Sequence, residues 1–125
     1  MDKDVRTVVK IPILDGTNYD SWKPRMETFI KSLGDKAWKN VVKGWDPPKV
    51  VDAEGKATDV LKPEEGLDDN DEASSQGNSK ALNFIFNRVD KNVFKLIKNC
   101  KSAKVSWETL RKVQEGSSKV KMAKL

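Results

Sequence analysis

The sequence predicts an all-α fold, a small bundle of about five helices in one domain over residues 1–125. Apolar residues recur at helical spacing over 22–42 and again over 82–110, as expected for helices with one face in a core. Residues that start or stop helices flank each of these runs. The domain therefore divides into a helical hairpin over 10–45, an acidic flexible insertion over 46–77 and a basic helical part over 78–125.

A short apolar entry precedes the first helix. Residues 1–10 are expected to be mobile. Residues 10–14 read as an extended segment in which Pro12 disfavours a central strand, and Ile11, Ile13 and Leu14 are expected to plug the edge of the core. Asp15-Gly16 then forms a turn.

The first helix is predicted from an apolar stripe and a clear end. The stripe consists of residues at positions i, i+4, i+7, i+8 and i+11: Trp22, Met26, Phe29, Ile30 and Leu33. With Ser21 as the N-cap, Pro24 is the third helical residue, whose N–H needs no intrahelical partner. Gly34 ends the helix because glycine adopts the left-handed conformation readily.

A shorter second helix completes the helical hairpin. Its inner side is predicted to carry Ala37, Trp38, Val41 and Val42, and Gly44 is its stop signal. The insertion that follows contains Pro and Gly among an excess of carboxylates, so it cannot bury enough apolar surface to offset the entropy of ordering. Its carboxylates lack the spacing of a calcium loop, and a solvated acidic loop is the favoured interpretation.

Three helices are predicted after residue 78. The first is capped by Asn78 or Ser79, the second by Asp90 and the third by Ser102. The third should end near residues 115–116, and Ser117 or Ser118 could cap a further, short helix. The predicted inner faces are Leu82, Ile85, Phe86 and Val89, then Val93, Leu96, Ile97 and Cys100, then Ala103, Trp107 and Leu110.

Composition excludes several kinds of site. The sequence contains no histidine and a single cysteine, which removes His-based acid–base catalysis, His-containing triads and a Cys-His zinc knuckle within these residues. Cys100 occupies an apolar position and is interpreted as an inert core residue. No apolar run is long enough for a transmembrane helix. We expect a non-enzymatic intracellular, cytoplasmic protein that needs no cofactor or metal and binds no membrane or small-molecule ligand.

The formal net charge of +5 conceals a segregation along the chain. Residues 1–45 carry 9 basic and 6 acidic side chains (+3), residues 46–77 carry 3 and 10 (−7), and residues 78–125 carry 12 and 3 (+9). Such asymmetry bears on partners and solubility. The lysines that could contact RNA phosphates are Lys91, Lys95, Lys98, Lys101 and Lys104. The alternative is that they form the solvated faces of amphipathic helices.

Three sequence elements resemble the N-terminal Gag module of Ty1/copia-type LTR retrotransposons of plants. The first, apolar-x-Gly-x-Asn-Tyr-x-x-Trp-x-x-x-Met, is matched over residues 14–26. The second, Trp-x-x-Val, is matched over 38–41, and the third, Ala-x-x-x-Trp-x-x-Leu, over 103–110. The residues that carry the resemblance are Gly16, Asn18, Tyr19, Trp22, Met26, Trp38, Val41, Ala103, Trp107 and Leu110.

The sequence also departs from the family pattern. Gln114 stands where the family often has an aromatic residue, and Pro24 lies inside the first motif. The family continues with further helices and often ends in a zinc knuckle. This chain therefore resembles the front part of a Gag protein, a truncated capsid-like N-terminal domain.

The resemblance implies a structural role. Family members self-associate into virus-like particles that package element RNA, so the expected partners are further copies of this chain and, non-specifically, RNA. The alternatives are a weak electrostatic RNA-binding module and a host-adopted, Gag-derived protein-interaction module. From the unfinished end of the chain we expect this form to associate poorly or promiscuously.

Overall fold

A computed structural model of the chain describes the backbone of residues 11–123 and the side chains of residues 11–116. This part of the chain contains five α-helices and one two-stranded antiparallel hairpin, which confirms the predicted all-α bundle. The helices are α1 (Tyr19–Ser32), α2 (Asp35–Lys43), α3 (Asp69–Phe86), α4 (Lys91–Ile97) and α5 (Ala103–Ala123), and the strands are β1 (Lys49–Val51) and β2 (Ala57–Leu61). The expected mobility of residues 1–10 lies outside the described residues.

The predicted stripe of α1 faces the core. Trp22, Met26 and Ile30 are fully buried, and the other two stripe residues, Phe29 and Leu33, are half-buried. The helix begins three residues before the predicted start, because Asn18 rather than Ser21 is its N-cap. Pro24 is therefore an interior residue and leaves one backbone carbonyl without its usual donor. Pro24 itself is exposed, so water can reach this part of the helix.

Glycines shape both ends of α2. Gly34 has a φ of +121° before the helix and Gly44 a φ of +89° after it, as the stop signals predicted. Ala37 and Val41 are buried, but the predicted inward position of Val42 is wrong, since its side chain is 55% exposed. The buried position is taken instead by Asn40, whose amide has a partner across the helix interface.

Residues 46–77 carry more structure than the sequence predicted. Their first half forms the β1–β2 hairpin, in which Lys49 pairs with Leu61 and Val51 with Ala57, followed by a 3-10 turn over Glu64–Gly66. Their second half is the first part of α3. The stretch predicted as an acidic flexible insertion therefore contains a hairpin over 49–61, and its predicted end at residue 77 is wrong because residues 69–77 belong to a helix. The predicted caps Asn78 and Ser79 lie inside that helix.

Local electrostatics and close packing explain the early start of α3. Asp68 is its N-cap: Asp71 N–H donates to Asp68 Oδ1 at 2.7 Å, and Asp68 N–H donates to Asp71 Oδ2 at 3.1 Å. Carboxylates in the first turn also favour the helix dipole. At Gly77 a Cβ would lie 2.8 Å from the Lys36 carbonyl carbon, so α2 and α3 approach closely there. The residues of α3 that make this contact are small or polar. They produce no helical period of apolar residues, so the sequence did not predict this part of the helix.

The last two helices follow the prediction in part. Asp90 caps α4 by accepting a hydrogen bond from Val93 N–H at 2.8 Å. Val93 and Ile97 are buried as predicted. Leu96 is 51% exposed, so its predicted core position is wrong. Ala103 and Leu110 of α5 are fully buried. The predicted break near residues 115–116 is absent from the described backbone, because α5 continues as one helix to Ala123. The side chains from residue 117 onward lie outside the described part.

The entry segment closes one edge of the core. Leu14 N–H donates to Arg88 O at 2.8 Å and Asp90 N–H donates to Leu14 O at 2.9 Å, which forms a short parallel bridge between Leu14 and Val89. Leu14 is fully buried, and Ile11 packs against the core. Ile13 is 46% exposed, so its predicted core position is wrong.

Candidate interaction surface

The three elements that carry the family resemblance meet in one aromatic cluster. Trp107 of α5 lies between Trp22 of α1 and Trp38 of α2, with ring centroids 5.7 Å apart in both pairs. Tyr19 stacks on Trp22 with centroids 6.3 Å apart. Met26, Val41, Ala103 and Leu110 are buried in the core to which this cluster belongs. Residues separated by more than eighty positions therefore contribute to one packed region.

The remaining motif residues shape the turn before α1. Gly16 has a φ of +95°. Asn18 accepts a hydrogen bond from Asp15 N–H through Oδ1 and donates through Nδ2 to Ile13 O at 2.9 Å. The turn delivers Trp22 to a position where its Nε1–H donates to Arg88 O at 2.9 Å. The first motif therefore holds the entry segment, α1 and the α3–α4 connection together.

Two buried asparagines join neighbouring helices. The sequence did not indicate this role for either one, and Asn78 was predicted only as a possible cap of its own helix. Asn40 Nδ2 donates to Ser74 O at 2.7 Å, linking α2 to α3. Asn78 Nδ2 donates to Lys101 O, and its Oδ1 accepts from Ala103 N–H, each at 2.8 Å. Asn78 thus caps α5 from another helix, a role predicted for Ser102. In the sequence, the sign of such a role is a polar residue at a position where the helical period places the core.

In residues 11–116 no group of three or more Cys, Asp or Glu side chains is arranged to hold a metal ion. Cys100 is half-buried, and this burial raises the pKa of its thiol, which disfavours the reactive thiolate. Gln114, where the family often has an aromatic residue, is buried.

A surface cavity lies where the α2–β1 connection meets α4 and the start of α5. Its volume is about 490 Å³, and we call it the basic groove because five of its nine lining residues come from the lysine-rich stretch 91–104, although its charged lining residues are Lys101 and Asp46. Leu96 and Val105 line it and remain 51% and 53% exposed, and Lys101 contributes a charge at its wall. The full lining consists of Trp45, Asp46, Pro47, Leu96, Asn99, Cys100, Lys101, Ser102 and Val105.

The five lysines considered for RNA contact lie on and between α4 and α5. Four of them, Lys91, Lys95, Lys98 and Lys101, are exposed, and Lys104 is half-buried. None of the five forms an ion pair with a described carboxylate. No aromatic side chain within residues 11–116 is fully exposed, as a stacking platform for bases would be, and the half-buried Trp45 lines the groove. This surface can attract an anionic partner but offers no described means of reading bases.

Carboxylates concentrate at a different place on the molecule. Residues 64–72 carry six acidic side chains and no basic one. One of them, Asp71, forms an ion pair with Lys62 at 2.8 Å, which links the end of β2 to the start of α3. Val60 and Leu61 stand beside these carboxylates in sequence and are 63% and 58% exposed.

The comparisons with known proteins add no relative. No protein-family model, no curated protein and no solved structure matches this chain. Within the described residues, none of the helices is both long and apolar enough to cross a membrane.

Proposed function

We propose that this chain is a structural protein without enzymatic activity that works by associating with further copies of itself. In this proposal it is a capsid-like component of a copia-type retrotransposon, acts in the cytoplasm and helps to form particles that package element RNA. The source of the proposal is the resemblance of its three motifs to the Gag module.

The observation that supports the proposal best is the meeting of those motifs in one core. The residues matched over 14–26, 38–41 and 103–110 are largely apolar and pack in the single core of the bundle. Here Trp22, Trp38 and Trp107 form a continuous aromatic cluster, and the other motif residues form the turn and core around it. This is the behaviour expected of residues that define one domain.

Exposed apolar side chains support the association half of the proposal. Val42, Leu96, Val105 and Val113 lie on helices and are 38–55% exposed. Leu96 and Val105 line the same cavity. An apolar patch left open to water favours contact with another protein surface.

Sedimentation velocity tests the proposal on the whole chain. Across about a hundredfold range of protein concentration, mass action predicts a rising population of larger species. Negative-stain microscopy of the concentrated sample shows whether these species include regular particles. A single monomeric species at every concentration would contradict the proposal.

A further inference from the structure

We propose that copies of this chain join head to tail, the acidic face of one copy docking on the basic groove of the next. The acidic face consists of Val60, Leu61 and the carboxylates of residues 64–72. The inference rests on the proposed self-association and names the two surfaces that make the contact.

Charge is the first argument for this pairing. Residues 91–104 carry five lysines and no acidic residue, a net charge of +5, whereas residues 64–72 carry six acidic residues and no basic one, a net charge of −6. Within one copy, no carboxylate of 64–72 forms an ion pair with a lysine of 91–104. Complementary charges left unpaired in the monomer can steer and orient two copies.

Apolar surface is the second argument. Leu96 and Val105 are exposed in the basic groove, and Val60 and Leu61 are exposed beside the carboxylates of the acidic face. Exposed apolar side chains therefore stand among the lysines of residues 91–104 and next to the carboxylates of residues 64–72 in sequence, and the groove itself is lined by Asp46 as well as Lys101. Bringing the two surfaces together buries apolar area on both sides, which provides affinity, while the charges determine the register.

The acidic face is also held in place. The Lys62–Asp71 ion pair fastens the end of β2 to α3, and Asp68 and Asp71 bond each other's backbone N–H groups. The carboxylates that remain without an ion pair include Glu64, Glu65 and Asp69, which are exposed. A face whose geometry is already set loses less entropy on docking.

In the head-to-tail arrangement the acidic face of each copy meets the groove of a different copy, so the contact is heterologous. Like surfaces repel each other, which disfavours a symmetric dimer through either one. A heterologous contact continues from copy to copy, and it closes into a ring or grows as an open chain depending on the rotation between copies. RNA is the less suitable occupant of the groove, because the lining is mainly apolar or uncharged and holds one lysine beside one aspartate.

Two charge-reversal variants test the pairing by sedimentation velocity. Lys98→Glu/Lys101→Glu reverses charge in the lysine-rich stretch 91–104, in which Lys101 lines the groove, and Glu64→Lys/Glu65→Lys reverses charge on the acidic face. All four side chains are exposed, so thermal unfolding should show both variants folded. Each alone should lose association by about tenfold or more. Mixed together, the two variants should associate again, because each retains one unmodified surface and the reversed charges of the two variants are also of opposite sign.

Lys39→Glu/Lys80→Glu is the matched control, since it makes the same charge change at exposed lysines outside residues 91–104. It should associate as the unmodified chain does, and association should weaken as salt is raised. If the two test variants associate normally, or their mixture stays monomeric, this interface is wrong while self-association stands. If nuclease treatment abolishes association, RNA bridges the copies and the interface is also wrong. A monomeric unmodified chain would overturn the proposed function as well.

Discussion

Trp22 connects three parts of the chain through one side chain. Its ring is fully buried, it packs beside Trp107, and its Nε1–H donates to Arg88 O between α3 and α4. A buried tryptophan combines a large apolar surface with an N–H group that needs a hydrogen-bond acceptor when it is buried. Removing the Trp22 side chain therefore costs free energy through both the lost apolar packing and the lost hydrogen bond.

Replacing Trp22 by alanine should lower the free energy of unfolding by about 3–5 kcal/mol. Trp22→Phe keeps much of the apolar area but leaves Arg88 O with one donor fewer, so it should cost less. Trp45, which is half-buried at the wall of the basic groove, provides the control, and Trp45→Ala should have a smaller effect than Trp22→Ala. Urea denaturation measures all three. An unchanged midpoint for Trp22→Ala would mean that the core is assigned wrongly.

Tyr19 predicts a pH dependence at alkaline pH. Burial, followed by the negative charge of Glu115, raises the pKa of its phenol from 10.0 to about 12. Because the folded pKa is the higher one, the associated stability is present below pH 10 and is lost as the pH rises from about 10 toward 12.

The chain contains a single tyrosine, so titration of phenolate absorbance reports on Tyr19 alone. It should titrate about two pH units above a denatured control. Glu115→Gln should bring the midpoint part of the way down, and Tyr19→Phe should remove the transition. A midpoint near pH 10 in the native chain would contradict the burial of this ring.

At the scale of elements, α3 differs most from the prediction. It begins at Asp69 rather than near Asn78, and its early turns are made of acidic, small and polar residues. Capping by Asp68 and close approach to α2 stabilise it, so its first half belongs to the bundle.

Gly77→Ala should destabilise the chain by about 1–3 kcal/mol, because the added methyl would meet the backbone of Lys36 at 2.8 Å. Gly116→Ala is the matched control. Gly116 lies in α5 with no atom near its missing Cβ, so alanine there should stabilise by roughly 0.5–1 kcal/mol. Chemical denaturation of the two variants should give opposite signs. Two stabilising substitutions would show that α2 and α3 do not pack closely.

The hairpin should be dispensable for folding, whereas the start of α3 should not. Replacing residues 49–61 by a Gly/Ser linker removes strands whose side chains are exposed or half-buried. We expect circular dichroism and the thermal midpoint to change little. Extending the replacement over 46–77 should unfold the bundle, because it removes Asp68, Ser74 and Gly77. Equal behaviour of the two replacements would contradict the observed boundary.

At the scale of the whole molecule, charge segregation dominates the surface. The acidic residues of 64–72 and the lysines of 91–104 lie in separate stretches. The same lysines would attract RNA phosphates, and no aromatic side chain within residues 11–116 is fully exposed for stacking on bases.

RNA binding by the chain should therefore be weak and indifferent to sequence. Affinity for unrelated oligonucleotides should fall steeply between low and physiological salt, because binding would release counterions from the phosphates. Fluorescence anisotropy with two oligonucleotides of equal length measures this, and Lys98→Glu/Lys101→Glu should reduce binding to both equally. A sequence-selective complex that survives high salt would instead favour a dedicated RNA-binding module.

The sequence by itself determined the fold class and the inner faces with strong period. Trp22, Met26 and Ile30 are buried as predicted, Asp90 caps α4, and Gly34 and Gly44 have positive φ. These features depend on local geometry: 3.6 residues per turn, free N–H groups at helix starts and the conformational freedom of glycine. The motif residues could be identified from the sequence, but the sequence did not predict that Trp22, Trp38 and Trp107 pack in one aromatic cluster.

The tertiary structure alone decided where each helix begins and which marginal residues are covered. Val42 and Leu96 lie at helical core positions, yet no neighbouring element covers them, while Asn40 and Asn78 are buried because a facing backbone offers each a partner. Residues 69–77 are helical because they pack against α2, so closely at Gly77 that a Cβ there would meet the backbone of Lys36. Such burial depends on distant segments, and a hydrophobic period read along one segment contains no information about them.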